Sequence, residues 1–327
     1  MQPVSHSTHT IARTLADGCF HSGEQIAQQL GISRSAVWKH VRQLESLGLE
    51  VFSVPGRGYR LTQPVELLEG ARIHSLLTPA CREQLQALNV LDKVDSTNTW
   101  LMSQATGFPA VCLAEWQTSG RGRRGRQWVS PFAANLYLSL GWQFDDVPPG
   151  FTALGMVAAI AAVRALRALN ISGVAIKWPN DLLVSGNKLG GILVEMQGEP
   201  PGRVRAVIGI GINVRMPKAA AEQIDQPWTD LTTLVPSAKP DRNRLAAMMI
   251  DELMAVLQVF AVQGFGVFAA EWRALDLAAG RPVHLQHQQQ VINGTSLGVD
   301  QDGALLLRTE TGTRRFVSGD LSLRIQP

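Results

Sequence analysis

Cysteine is scarce: three residues, Cys19, Cys81 and Cys112, in a chain of 327. The count is odd and no pair has C-x-x-C spacing. Both facts argue against a disulfide framework and against a cysteine zinc site, and they fit a reducing cytoplasm. Charge of one sign is also lacking. Thirty Lys and Arg stand against 27 Asp and Glu, a net charge of +3. That is too even for a protein that simply coats nucleic acid, so any nucleic-acid contact must be local. No long hydrophobic run is present either. The most lipid-like stretch, Phe151 to Val163, is shorter than the ~20 residues of a membrane span and is ended by Arg164. It reads as a buried core helix, and no membrane partner is expected. The opening MQPVSHSTHT has neither a basic segment nor an apolar one, so no secretory signal is expected. What remains is a globular chain, 45% hydrophobic and 17% charged. At roughly 100–200 residues per domain it has room for two or three domains.

The first 65 residues read as short helices and a hairpin. Ile11, Ala12 and Leu15 have helical spacing. Ser22 with Gln25 has the form of a capping box, opening a helix that carries Ile26, Ala27 and Leu30 and stops at Gly31. Ser33 then caps a helix from about Arg34 to Leu47, with Val37, Val41 and Leu44 inward and Gly48 at its end. Glu50 to Leu61 reads as two strands around Pro55-Gly56-Arg57-Gly58. This is the outline of a winged helix-turn-helix. A plain structural module has the same outline, and six Lys and Arg against four acids in residues 1–65 separate the two only modestly. Placement says more. Arg34, Lys39 and Arg42 share the second helix with Ser33, Ser35 and His40, where they can reach phosphates and base edges, and Arg57 and Arg60 sit on the wing.

From about residue 67, short β-rich runs alternate with helical runs at Ser96–Gln104, Phe151–Leu169 and Arg242–Phe260. Strands outnumber helices and several join through short turns, which favours a mixed, largely antiparallel α+β sheet. The last 50 residues hold five short strands with tight turns, the pattern of a small SH3-like β-barrel. The expected architecture is multi-domain α+β: a winged helix-turn-helix over 1–64, a catalytic domain over 65–272 and a small β-barrel over 273–327.

Four clusters can carry chemistry. Gly120-Arg-Gly-Arg-Arg-Gly-Arg126 fits G-x-G-x-x-G formally, but it leads to Trp128 and another strand rather than into a helix, and no Walker Lys-Ser/Thr follows. It is instead a flexible loop whose glycines allow close backbone approach and whose arginines grip phosphates or carboxylates. A solvated basic loop is the plain alternative. In Lys177-Trp-Pro-Asn-Asp181, Pro179 fixes a turn that aims Asn180 and Asp181 out of the sheet, an amide for a base or sugar and a carboxylate for Mg²⁺. Lys188 opens an apolar strand beside Gly190-Gly191. Such a lysine is costly unless it meets an anion, or it snorkels at a sheet edge. Asp95-Ser-Thr-Asn98 either caps the following helix or hydrogen-bonds a small polar ring. Ile208-Gly-Ile-Gly-Ile-Asn213 is a strand ending in an amide, and Trp228 follows after a polar loop.

These residues together resemble the bifunctional biotin protein ligases of bacteria, which also repress the biotin operon. The resemblance runs through F-H-S-G-E-Q, D-S-T-N, Q-T-S-G-R-G-R-R-G-R-Q-W, K-W-P-N-D, K-L-G-G-I-L-V-E, G-I-G-I-N and the C-terminal barrel. It is weakest over Arg215–Gln226, a loop that in the family folds over the adenylate and bears on dimerisation. The resemblance implies a biotin/lipoate ligase-like catalytic domain and the substrates biotin and ATP, with Mg²⁺. Biotinyl-5′-AMP is the implied intermediate and corepressor, and the biotin carboxyl carrier protein of acetyl-CoA carboxylase the implied acceptor. Operator DNA and a ligand-promoted homodimer complete the implied partners. It also implies roles. Lys188 and Arg123 are catalytic. Ser96, Thr97, Asn98, Gln117, Arg121, Gly122, Arg123 and Lys188 hold biotin. Arg123, Arg124, Arg126, Trp128, Asn180, Asp181, Lys188, Asn213 and Trp228 hold ATP or the adenylate, with Asp181 on Mg²⁺. Gly23, Ser33, Arg34, Ser35, Lys39, His40, Arg42 and Arg57 face DNA. A lipoate protein ligase is the nearest rival, but its R-R-x-S-G-G-G signature is absent. A biotin-sensing transcription factor without catalysis is the other.

Overall fold

The computed structural model describes residues 6–46, 48–105, 107–198, 202–236, 240–287, 290–317 and 321–325. At the N-terminal end, α1 (His6–Leu15), α2 (Gly23–Leu30) and α3 (Arg34–Ser46) precede a hairpin of β1 (Val51–Val54) and β2 (Gly58–Leu61). The local chemistry is what the sequence encodes. Ser22 accepts from Gln25 N–H while the Gln25 side chain accepts from Ser22 N–H, and Gly31 takes a left-handed conformation that ends α2. Ser33 Oγ accepts from Ala36 N–H at the start of α3. Leu47, where that helix is expected to finish, lies outside the described residues. Ile11, Leu15, Ile26, Val37, Val41 and Leu44 bury one small core, to which Phe132 and Ala133 of the central domain also belong. The winged helix therefore packs on the central domain instead of hanging from a free linker.

The central domain adds α4 (Gly70–Leu76), α5 (Pro79–Gln84), β3 (Ala87–Leu91), α6 (Thr97–Ser103), β4 (Ala110–Ala114), β5 (Leu136–Phe144), α7 (Leu154–Ala168), β6 (Val174–Lys177), β7 (Asp181–Val184), β8 (Asn187–Gln197), β9 (Val204–Ile212), α8 (Lys218–Ala221), α9 (Leu231–Leu234), α10 (Arg242–Gln263) and α11 (Ala269–Leu275). Its seven strands form one sheet in the order β3-β4-β5-β9-β8-β7-β6. Only the β3–β4 pair is parallel among these ladders. Helices α7 and α10 pack on each other and on this sheet. Segments Phe151–Ala168 and Arg242–Gln263 are long and apolar enough to cross a bilayer by composition alone. Here most of their apolar residues are buried in the domain core, although Val259 and Val262 of α10 are exposed, and Arg164 pairs with Glu271 at 2.6 Å.

A buried ion pair fastens the chain between the first two domains. Arg242, the first residue of α10, places Nη2 2.9 Å from Glu115 Oε2, with side-chain exposures of 4% and 0%. Arg242 also donates to Glu66 O, and Leu68 N–H donates to Glu115 Oε1. Asn243 accepts from Glu69 N–H and donates to Leu67 O. Every polar group of this clamp that is buried finds a partner, as a buried charge requires.

The C-terminal strands β10 (Pro282–His287), β11 (Gln290–Val299), β12 (Leu305–Thr309), β13 (Gly312–Phe316) and β14 (Leu321–Ile325) form an antiparallel sheet in the order β13-β12-β11-β10-β14. This module is anchored to the central one. Trp178, buried at the end of β6, donates from Nε1 to Gly303 O at 3.5 Å, and Leu321 and Leu323 belong to the same hydrophobic core as the central sheet.

Candidate active site

The residues expected to carry chemistry converge on one cavity. Ser96, Thr97, Asn98, Gln117, Arg121, Gly122, Arg123, Arg124, Arg126, Trp128, Asn180, Asp181 and Lys188 all line it. Asn213 and Trp228 line an adjoining cleft that shares Trp128 and Lys188. Strands β5, β7, β8 and β9 supply the backing, and the arginine loop and the start of α6 supply the walls.

Along one wall lies a chain of polar groups. Thr97 donates to Gln117 Oε1 from both its N–H (2.9 Å) and its hydroxyl (3.1 Å). Gln117 Nε2 donates to Ser130 Oγ at 3.1 Å. Ser139, unmarked in the sequence except as a lone hydroxyl in an apolar strand, sits 2.7 Å from Thr97 Oγ1 and 2.6 Å from Asn98 Oδ1. Ser96 occupies the cap position of α6 but makes no side-chain cap bond. Capping therefore does not account for its hydroxyl, which lines the cavity. Asn98 is committed to the protein: its amide donates to Leu193 O and to Glu195 Oε2. Gly209 leaves room for it, since a Cβ there would stand 2.4 Å from Asn98 Oδ1. Asn98 thus ties α6 to β8 and, through Ser139, to β5.

The cationic side is built from Lys188, Lys177 and the arginine loop. Lys188 Nζ lies 2.7 Å from Asp181 Oδ1, and Lys177 Nζ lies 3.2 Å from Asp181 Oδ2. Burial pushes the Asp181 carboxyl upward, but Lys188 and then Lys177 outweigh it and hold the group below its ordinary range. Asp181 remains ionised and its charge is met by two ammonium groups. Asp181 is thus an ion-pair partner of both lysines. The anion within the protein that makes the half-buried Lys188 tolerable is Asp181. Gly190 is required by the sheet, because a Cβ there would meet Gly211 O at 2.6 Å. Gly191 is the one that faces the cavity.

Arg124 and Gly125 have positive φ (58° and 70°), which folds the arginine loop into a tight turn. Arg121 pairs with Glu195 (2.7 Å) and Arg123 donates to Asn180 Oδ1 (3.1 Å), while Arg124 and Arg126 are exposed. The Trp128 ring lies against β9 at Gly211, where a Cβ would be 2.5 Å from the indole. Lys188 Nζ is 5.5 Å from the Trp128 ring centre, and Trp128 Nε1 is buried with no hydrogen-bond partner. A buried donor left unpaired is costly unless a ligand accepts from it. Lys188 N–H donates to Pro227 O and Thr229 N–H donates to Lys188 O, which lays Trp228 beside Lys188. Asn213 donates to Lys188 O and Thr229 O, fixing that strand crossing.

Sequence reading does not find Ser139, Glu195, Gln226, Leu321 or Leu323. The last three also line the site or its rim and come from segments far along the chain. Six cationic side chains line the cavity against one carboxylate, Asp181. That excess suits a polyanion, and the apolar backing beside the Thr97–Gln117 chain suits a ligand with both polar and apolar parts.

Residues expected to face DNA divide in two. Arg34, Ser35, Lys39, Arg42 and Arg57 are exposed. Arg57 and Arg60 flank the Phe20 ring at 4.4 and 5.2 Å. Gly23 packs on the Tyr59 ring, where a Cβ would be 3.2 Å away. His40 is half-buried and bonded to Thr8 at 2.9 Å. Gly23 and His40 thus also make contacts within the domain, and Ser33, itself exposed, makes the cap bond of α3. Cys81 and Cys112 are buried, with thiols pushed up to about 12 by burial first, so neither is a thiolate nucleophile.

The family model for the biotin/lipoate A/B protein ligase family matches residues 90–213, that for an HTH domain residues 8–60, and that for the biotin protein ligase C-terminal domain residues 279–324. The chain is 42% identical to the bifunctional ligase/repressor BirA of Salmonella typhimurium over 96% of its length and 97% of the relative's. It is 41% identical to that of Escherichia coli over 95% of each. Among solved structures it is similar to the biotin protein ligase from Aquifex aeolicus in complex with biotin and ATP, at 28% identity and a TM-score of 0.65, covering 74% of this chain and all of that one.

Proposed function

The chain belongs to the family of bifunctional biotin protein ligases and repressors, and from that premise we infer how its residues divide the work. The protein is a biotin protein ligase that uses ATP, and a DNA-binding repressor. Residues 1–64 carry the DNA contacts, 65–272 the chemistry, and 273–327 a module that closes one side of the site. The observation that carries this reading is the excess of cationic side chains around one amide-and-apolar cavity.

Biotin's carboxylate attacks the α-phosphorus of ATP, which enters with Mg²⁺ as a substrate complex, to give biotinyl-5′-AMP and pyrophosphate. The obstacle is an anion approaching a polyanion. Arg121, Arg123, Arg124 and Arg126 screen that charge, and Lys188 stabilises what develops between carboxylate and phosphate. Asp181 keeps Lys188 aimed at the site beforehand. Ser96, Thr97 and Gln117, supported by Ser139, hold the ureido ring, while Asn98 fixes α6 behind them. Asn180, Trp128 and Trp228 hold the nucleotide, with Trp128 Nε1 the donor that awaits an acceptor, and Asn213 fixes the Lys188–Trp228 crossing. The ε-amine of a lysine of the biotin carboxyl carrier protein then attacks the acyl carbon of the mixed anhydride, forming an amide and releasing AMP and a proton. Biotinyl-5′-AMP, by ordering the arginine loop and the 215–226 segment, promotes a homodimer whose two winged helices bind operator DNA.

The test is to incubate the full chain with ATP–Mg²⁺, a carrier domain and either biotin or lipoate, and to weigh the carrier. A biotinyl mass increment on the acceptor lysine is expected. Modification with lipoate alone would give the lipoate-ligase reading instead, and no modification with either would leave only a ligand sensor.

A further inference from the structure

Helix α3 carries an indole where a groove-facing helix would meet bases. Its inner face, Val37, Val41 and Leu44, is buried in the winged-helix core. On the outer face Arg34, Trp38 and Arg42 follow one another at intervals of four, a single stripe of the helix, with Ser35 and Lys39 alongside. Trp38 is 55% exposed, among the most exposed large apolar side chains described. It is held in place: the Arg42 guanidinium lies 5.9 Å from its ring centre, and Arg42 also pairs with Glu45 at 3.6 Å. An aromatic ring presented among cations, on the helix that the DNA-binding reading places in the major groove, has few apolar partners there. Of the groups that base edges display in that groove, the thymine C5 methyl is the apolar one, and the rest are donors and acceptors.

We propose that Trp38 is a specificity-determining residue for DNA, reading a thymine by packing its indole on the C5 methyl while Arg34, Lys39 and Arg42 hold the flanking phosphates. The proposal rests on the reading of residues 1–64 as the DNA-binding domain. The charge around the ring favours a nucleic acid over a protein partner, since the neighbouring exposed side chains are cationic and Glu45 is already paired.

The test uses the full-length protein with biotin and ATP, and a duplex enriched by that protein from a randomised library. Each thymine of the duplex is replaced in turn by uracil, which pairs identically and lacks only the methyl. Removal of one packed methyl is expected to weaken wild-type binding about fourfold at one or two positions. In Trp38→Ala the thymine duplex binds more weakly, and the same uracil replacements have no further effect. Release of pyrophosphate from biotin and ATP is unchanged in Trp38→Ala, which shows that the rest of the chain is intact. Uracil indifference at every position in the wild type overturns the proposal, and so does equal uracil sensitivity in both proteins. A loss of self-association in Trp38→Ala without uracil sensitivity overturns it too, in favour of a protein interface. If no duplex is enriched at all, the DNA-binding reading itself fails.

Discussion

Asp181 and Lys188 meet at 2.7 Å across adjacent strands of the sheet, one from β7 and one from β8. The pair explains how the protein itself supports a half-buried ammonium. It also fixes what a ligand must do. An incoming carboxylate or phosphate adds a second anion to Lys188 and does not have to order it from solvent. Lys177, on the other Asp181 oxygen, keeps the carboxylate neutralised while Lys188 turns to the ligand.

The pair has a pH signature. The Asp181 pKa is lowered on folding, so its contribution to stability is present above the unfolded value of about 3.9 and is lost as pH falls through the folded value. The difference in Tm between wild type and Asp181→Asn is therefore expected to stay flat from about pH 8 to pH 5 and to shrink below about pH 4. A difference that fades between pH 7 and pH 5 would mean that burial outweighs the two lysines and lifts the Asp181 carboxyl above its ordinary range.

The Glu115–Arg242 pair clamps the segment that joins the winged helix to the central domain. Glu115→Gln leaves a buried guanidinium without its counter-charge, a loss of about 3–5 kcal/mol. At roughly 2–4 °C per kcal/mol for domains of this size, Tm is expected to fall by about 6–20 °C. A scanning-calorimetry Tm equal to the wild type's would show that the pair contributes little to stability.

Arg123 links the arginine loop to Asn180 at 3.1 Å. Arg123→Ala is expected to loosen the hold on the adenylate more than it blocks its formation. The mixed anhydride then escapes and acylates lysines of bystander proteins such as albumin. Labelled biotin on albumin should rise above the wild-type level. A variant that is merely inactive, or that stays confined to the carrier, would remove the retention role.

Arg34 and Lys39 are exposed on α3, remote from the cavity in sequence. A single small winged helix makes few phosphate contacts and binds weakly, while two held in a dimer gain about 10²–10⁴ in avidity. Gel shifts on an inverted-repeat operator should therefore require biotin and ATP. The double variant Arg34→Ala, Lys39→Ala should lose the shift and ligate carrier at the wild-type rate. Equal operator affinity with and without biotin and ATP would leave a ligase with a DNA-binding domain and no switch.

Much of this was legible in the sequence because it is locally encoded. The Ser22–Gln25 capping box, the Gly31 stop, the hairpin around Pro55–Gly58 and the five C-terminal strands each carry their signal within a few residues. Helices α4 and α11 carry no side-chain cap bond at their starts, and α5 is marked only by Thr78-Pro79, so none stands out from loop. In the site, the motifs name the reacting groups but not their partners. That Asn98 bonds to Glu195, that Ser139 backs Thr97, and that Leu321 and Leu323 reach the cavity follow from strand order and register, which link residues about 40 to 200 positions apart and leave no local trace. The same holds in the winged helix, where the position of His40 and Gly23 on their helices is legible but the bond to Thr8 and the packing on Tyr59 are tertiary.

The account turns on Lys188 and the cations around it activating biotin, and biotin-dependent exchange of labelled pyrophosphate into ATP measures that step without carrier or DNA. The wild type should exchange with biotin and not with lipoate. Lys188→Gln, which keeps length and removes charge, should lower the rate by roughly 10²–10³ with the fold intact by circular dichroism, the scale of losing one transition-state donor. Near-normal exchange in Lys188→Gln, or no biotin-dependent exchange in the wild type, would contradict it.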